Sequence, residues 1–210
     1  AVGNDIEFEC ARLGVTGGLK ARDITFSRAG CIASTNTMEA RNITFSASGE
    51  KWTSGGNIKV SGDIMAQTVD WKATAGTIEV GGNIDAPMLV QEAGKVLLNG
   101  SATQDLKAKK LDTLEIDNSS GGNVILTLDE VASLLLKNRN VTMMKDATIT
   151  KEFKNEHGSF DATAHSAIIN LQPQNTLKIE GKANITNDSA TTANTGTKFY
   201  KAGRDRQKRC

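Results

Sequence analysis

Apolar side chains recur at a spacing of two through the middle of the chain, at Ile58/Val60, Val69/Trp71, Ile78/Val80, Met88/Val90 and Val96/Leu98, with polar or small residues between them. Single aliphatics at Ile64 and Ile84 follow the same rhythm. A period of two is that of a strand with one buried face, and the i, i+3, i+4 spacing of an amphipathic helix is absent. Ile, Val, Thr and Phe fill these positions, and Gly, Asn, Asp or Ser separate them, so each unit reads as short strands joined by tight corners.

The units repeat. Leu19-Lys-Ala-Arg-Asp-Ile-Thr-Phe26 returns 19 residues later as Met38-Glu-Ala-Arg-Asn-Ile-Thr-Phe45, with five positions identical. Gly56-Asn-Ile-Lys-Val-Ser-Gly-Asp-Ile64 returns as Gly76-Thr-Ile-Glu-Val-Gly-Gly-Asn-Ile84, 20 residues on, and a looser copy runs from Thr176 to Ile185. A polar residue followed by an aliphatic one recurs at Asp5-Ile6, Asp23-Ile24, Asn42-Ile43, Asp63-Ile64, Asn83-Ile84, Ser101-Ala102, Asn123-Val124 and Asn140-Val141. A fixed period of this size marks a stacked architecture. A leucine-rich horseshoe shares the period but needs a denser Leu consensus.

The expected fold is therefore all-β, a parallel β-helix (β-solenoid) with about 20 residues per coil, whose strands pair with the coils above and below. Roughly nine coils at about 4.8 Å each give a rod on the order of 40–45 Å long. Asp23, Asn42, Asp63 and Asn83 are the expected repeat corners, able to share side-chain ladders. Ile24, Phe26, Ile43, Phe45, Ile64 and Ile84 are the expected core ladder, with Phe26 and Phe45 one above the other.

One solenoid domain is expected over residues 1–186, clearest over 4–116 and less regular over 117–175. In that middle section residues 117–122 read as a wide turn, the Leu-rich residues 126–136 could tolerate a helical turn, and residues 153–160 read as a polar loop or coil extension. Residues 187–210 are expected to be a flexible polar and then basic tail, a frayed C-terminus. The opening Ala1-Val-Gly-Asn has no Met and no signal-peptide pattern, so a mature terminus or an excerpt of a longer chain is expected.

Composition refines this picture. The 210 residues carry a net charge of +1, with 20 Gly, 2 Pro and only 4% aromatic residues, which suits a long thin core whose corners are glycine and which has little room for large rings. No apolar run approaches the roughly 18 residues of a membrane-spanning helix. Basic residues gather in the tail at Lys198, Lys201, Arg204, Arg206, Lys208 and Arg209. Contact with an acidic membrane surface is conceivable only through that tail, and nucleic acid is not an expected partner, because little aromatic character interleaves the charges.

The cysteines are Cys10, Cys31 and Cys210. An odd number excludes a full disulfide framework. Cys10 and Cys31 lie about one coil apart, so they form either a disulfide or a stack of small inward residues, and the stack is the simpler reading.

Candidate chemistry is sparse. His157 and His165 have no cysteine or carboxylate set at metal-ligand spacing, so no metal is expected, and no phosphate loop, dinucleotide fingerprint or Gly-x-Ser-x-Gly motif implies a cofactor or a nucleophile. A β-helical polysaccharide-degrading enzyme would need clustered carboxylates on one strand face, for which Asp63, Asp70, Glu79 and Asp85 are the candidates. Short corners leave no room for a sugar cleft, and no catalytic activity is expected. The Asn-x-Ser/Thr triplets at Asn42, Asn118, Asn140, Asn184 and Asn187 are what an Asn- and Thr-rich sequence produces by chance.

The string Arg41-Asn-Ile-Thr-Phe-Ser-Ala-Ser-Gly-Glu-Lys-Trp-Thr-Ser-Gly-Gly-Asn-Ile-Lys-Val-Ser-Gly-Asp-Ile64 resembles the degenerate repeats of filamentous-haemagglutinin-like and autotransporter-type adhesins, large secreted proteins of Gram-negative bacteria. The resemblance covers about residues 20–110 and implies a right-handed parallel β-helix. It also implies a secreted or cell-surface location and a role as structural or adhesive stalk, touching a host or neighbouring-cell surface protein or glycan. The chain departs from that family in lacking its N-terminal secretion module. Residues 56–86, with Gly-Asn-Ile, Gly-Asp-Ile-Met-Ala and Gly-Asn-Ile-Asp-Ala, are similar to the triads of bactofilins, which implies instead a cytoplasmic, membrane-associated scaffold that self-associates through its solenoid ends.

Overall fold

A computed structural model of the chain describes residues 3–117, 122–138, 140–156 and 159–161, together with the backbone of the strands Ala167–Ile169, Leu177–Ile179, Lys182–Asn184 and Phe199–Lys201. Every regular element among these residues is a β-strand, and every pairing is parallel. The chain is a β-solenoid. One sheet of ten strands runs up one side, and a sheet of fourteen strands forms the rest of the wall. From Ile6–Phe8 to Ser159–Asp161 the first sheet has nine rungs, hence about eight turns, close to the nine coils expected.

Two columns of inward side chains define the coil. In the first sheet Ile6, Ile24, Ile43, Ile64, Ile84, Leu106, Leu126 and Met143 are successive partners. In the second, Leu19, Met38, Ile58, Ile78, Val96, Leu114, Leu134 and Phe153 are. Apart from the first rung, where Ile6 and Leu19 are only partly covered, these residues are buried. Fully burying each aliphatic side chain contributes about 1.5–3 kcal/mol, but only when a coil covers it on both sides.

The aromatic rings also stack. Phe8, Phe26 and Phe45 lie in register with centroids 5.2 and 4.3 Å apart, and the column passes across the core to Trp52 and Trp71, whose rings are 4.0 Å apart. Large rings thus do fit this coil, against expectation. Small neighbours such as Ala33, Ala66, Ala73 and Ala86 leave the width that the indoles occupy. Each indole N–H is satisfied inside the core, Trp52 donating to Thr35 Oγ1 at 2.8 Å and Trp71 to Ser54 Oγ at 3.0 Å.

Corners in the second sheet change along the rod. Arg12–Lys20 and Ile32–Ala40 run continuously through the bend, as do Lys110–Ile116, Glu130–Leu136 and Ala147–Asn155. In the three coils between them the wall breaks into two short strands, as in Asp70–Ala73 and Thr77–Val80. Gly76 and Gly94 make two of these breaks with φ of 88° and 105°. A Cβ on Gly76 would stand 2.4 Å from the Gly56 carbonyl oxygen, and one on Gly94 would stand 2.1 Å from that of Gly76.

Three local expectations are overturned. Met88 and Val90 do not face inward: Leu89 and Gln91 do, while Met88 is exposed, because a shift of one residue in a strand exchanges its faces. The coil after Asn83-Ile84 begins at Asp105-Leu106 and not at Ser101-Ala102, which lie in an exposed turn; Asn123 and Asn140 accordingly precede the aligned corner position by two residues. The Leu-rich stretch is no helical turn, for it holds the strands Val124–Thr127 and Glu130–Leu136. Of the two readings of residues 153–160, the strands agree with the coil extension, for Phe153 and Phe160 are buried strand residues with rings 5.0 Å apart. Strands as far along as Lys182–Asn184 stay in the first sheet, and Phe199–Lys201 pairs with Leu177–Ile179. The remainder of the expected tail, with Cys210, His157, His165, Asn118 and Asn187, lies outside the described residues.

These corners predict an unequal response to one chemical change. Gly94→Ala combines a left-handed backbone with a backbone clash and should cost at least about 2–3 kcal/mol, whereas Gly30→Ala, where φ is 70° but the space is open, should cost about 1–2 kcal/mol. Urea unfolding midpoints of the two variants check the order.

Candidate functional site

The outward faces carry whatever chemistry the rod offers, and their side chains interact chiefly along the stacking axis. At the edge of the first sheet, Asn42 Nδ2 donates to Asp23 Oδ1 at 2.8 Å. Above it, each corner oxygen accepts a backbone N–H of the next coil: Asp63 donates to Asn42 Oδ1 at 2.9 Å, Asn83 to Asp63 Oδ1 at 2.6 Å, and Asp105 to Asn83 Oδ1 at 2.8 Å. The predicted corner residues Asp23, Asn42, Asp63 and Asn83 thus form one chain of bonds that satisfies backbone donors the bends would otherwise leave unpaired. Asn57 does the same for the Thr77 N–H at 2.9 Å on the opposite corner.

Charges follow the same axis. Lys20, Glu39, Lys59 and Glu79 are successive outward partners of alternating sign, with Lys20–Glu39 at 2.7 Å and Lys59–Glu79 at 3.0 Å. Lys72–Glu92, Lys110–Glu130 and Lys107–Asp85 span coils in the same way. Arg22 grips Asp5, and Arg41 grips Asp23, each through two guanidinium nitrogens. Both carboxyls are held below the usual range, first by that arginine contact, against a small opposing effect of burial. Exposed pairs of this kind contribute little to stability, because water and salt screen them.

Glu115 is different, because its side chain is 11% exposed and two lysines converge on it. Lys95 donates to one carboxylate oxygen at 2.8 Å and Lys137 to the other at 2.5 Å. Burial alone would raise its pKa, but the two ammonium groups outweigh burial and lower it. The same contact raises the pKa of Lys137.

The carboxylates that an enzyme would need do not converge. Asp63 stands at a corner and Asp85 on the first sheet beside Lys107 and Gln67, whereas Asp70 and Glu79 lie on separate segments of the second wall. Among the described residues, no three His, Cys, Asp or Glu side chains gather in a group that could hold a metal ion. A shallow recess of about 380 Å³ lies at one edge among Gly3, Ala21, Ser61 and four cations. Those cations, Lys20, Arg22, Arg41 and Lys59, are all engaged by the carboxylates named above.

Three buried polar contacts escape sequence reading. Gln104 is fully buried and stitches a corner, accepting the Gly100 N–H at 3.0 Å and donating to the carbonyls of Val80 and Gly82. The Thr35 and Ser54 hydroxyls that receive the tryptophans, and the Glu115 pair, are the others. Gln104 and Glu115 show in the sequence only as polar residues whose register partners, Val124 for one and Leu97 and Leu135 for the other, are apolar, whereas Thr35 and Ser54 are register partners of each other.

No protein-family model, characterised protein or solved structure matches this chain.

The carboxylate shifts fix the direction of a pH response. Asp23 and Glu115 have depressed pKa values in the fold, so their contribution is fully present above the unfolded value of about 4 and is lost as pH falls through the lower native values. Stability should accordingly drop below about pH 4. In Lys137→Met the Glu115 pKa should rise, since only Lys95 remains to oppose burial. Carboxyl-carbon NMR titration of Glu115 measures this directly, and an unchanged value would contradict the role given to Lys137.

Proposed function

We propose that this chain is a non-enzymatic structural and adhesive segment, a β-solenoid rod of a secreted or cell-surface protein. The observation that carries the reading is the continuity of the inter-coil ladders from Ile6–Phe8 to Ser159–Asp161, with outward charges spent on neighbouring coils. Such a surface sets length and stiffness, and it meets a partner over a flat wall and not in a cleft. The partner class that fits is a protein or glycan of a host or neighbouring cell. The adhesin-like repeat strings of residues 41–64 support the same reading.

A second reading is an intracellular scaffold that lengthens by stacking ends. What favours it is the run of Gly-Asn-Ile, Gly-Asp-Ile-Met-Ala and Gly-Asn-Ile-Asp-Ala in residues 56–86, which resembles the triads of bactofilins.

Light scattering and electron microscopy across a salt series, with and without reductant, separate the two. The stalk reading expects a monomeric rod that binds intact cells saturably; filaments formed end to end and stable to reductant would overturn it in favour of the scaffold. Removing one coil, residues 64–83, should leave a folded rod shorter by about 4.8 Å.

A further inference from the structure

Ile6, Phe8 and Leu19 are partly covered, while their partners Ile24, Phe26 and Met38 one coil later are at most 1% exposed. Local opening should therefore start here, because protection follows the buried contacts that must be broken. Within this coil, Cys10 is half-buried and Cys31 of the second coil is buried. Both are free thiols. The Ile32 N–H donates to the Ala11 carbonyl at 2.9 Å, which places the peptide of Cys31 over that of Ala11, next to Cys10. The Cys10 side chain is near enough to act directly on the Cys31 thiol. Parallel coils about 4.8 Å apart bring nearly opposed residues within the Cα separation of about 4.4–6.8 Å that a disulfide requires.

The geometry points to Cys10 and Cys31 as a redox clamp: an intramolecular disulfide between them ties the partly covered first coil to the second, and reduction releases it. The oxidant is a small-molecule disulfide such as oxidised glutathione. It meets the more accessible Cys10 first, whose thiolate displaces one glutathione thiol and leaves a mixed disulfide. Cys31, as its thiolate, then attacks the Cys10 sulfur, the second glutathione leaves as a thiol, and one disulfide has been exchanged for another. Burial, Cys10 and Glu50 all push the Cys31 thiol up, with Arg28 opposing them, so this second step sets the pace. The clamp acts on the stability of one coil. It is independent of whether the rod serves as stalk or scaffold.

The test uses the full chain with Cys210→Ser, so that the third thiol takes no part. The protein is incubated with oxidised glutathione, mapped by mass spectrometry, and followed by amide hydrogen exchange. The expected result is a Cys10–Cys31 linked peptide with a mass loss of about 2 Da, no such product in Cys10→Ser, and exchange at least roughly tenfold slower across residues 6–20. Exchange over residues 70–98 should stay unchanged, and dithiothreitol should reverse the effect. A glutathione adduct that stays on Cys10 without closure would overturn the proposal. So would a disulfide that forms and leaves exchange in the first coil unaltered.

Discussion

Parallel strands about 4.8 Å apart impose one constraint on the whole molecule: a side chain in one coil must sit on whatever the coil below places at the same position. Like therefore stacks on like inside, as in the isoleucine column from Ile6 to Ile84 and the ring pairs Phe26–Phe45 and Trp52–Trp71. Outside, the same constraint would place equal charges on top of one another, and the chain answers with alternation. Lys20, Glu39, Lys59 and Glu79 turn a repulsive column into an attractive one. At the bends, Asn42, Asp63 and Asn83 turn a column of like polar groups into a run of acceptors for backbone N–H groups.

Stacking also explains why the rod is not uniform. Toward its start the core carries the ring stack from Phe8 to Trp71, from Ile78 to Ile149 its buried apolar side chains are aliphatic, and rings return at Phe153 and Phe160. Glycine breaks at Gly76 and Gly94 belong to the coils in between, where backbone lies on backbone too closely for a Cβ. Glu115 is the one strongly covered carboxylate with two cationic partners among the described ion pairs, and it lies on a continuous strand. A buried pair of this kind depends on keeping both lysines, since removing partners leaves a charge away from water.

The fold was legible because its period is carried by residues with one physical role. The paired strings at 19–26 and 38–45 differ only where the side chain faces outward or where one aliphatic replaces another, and their partners in the structure are those that the alignment implies. Legibility failed where coil length varied. The step from Ile84 to Leu106 is 22 residues, so a search about one coil on for a polar residue followed by a small apolar one stops early, at Ser101 in the turn. At residues 88–91 the alternation Met-Leu-Val-Gln offers two apolar registers, and only the packing of Leu89 in the core decides between them. Gln104 is a single departure from an apolar column, which a periodic pattern averages away, and the tryptophan-bound Thr35 and Ser54 are small hydroxyl residues that look like corner residues in the sequence. Candidate chemistry was legible mainly as placement, for Asp63, Asp70, Glu79 and Asp85 look close along the chain but are divided between the first sheet, with Asp63 at its corner and Asp85 on it, and the second, with Asp70 and Glu79.

The central claim is the column-by-column register, and methyl-to-methyl nuclear Overhauser contacts in isoleucine-labelled protein test it most directly. The account predicts a single file of contacts joining Ile6 to Ile24, Ile24 to Ile43, Ile43 to Ile64 and Ile64 to Ile84, with none that skips a coil. Contacts between Ile24 and Ile64, or the absence of the Ile43–Ile64 contact, would contradict it.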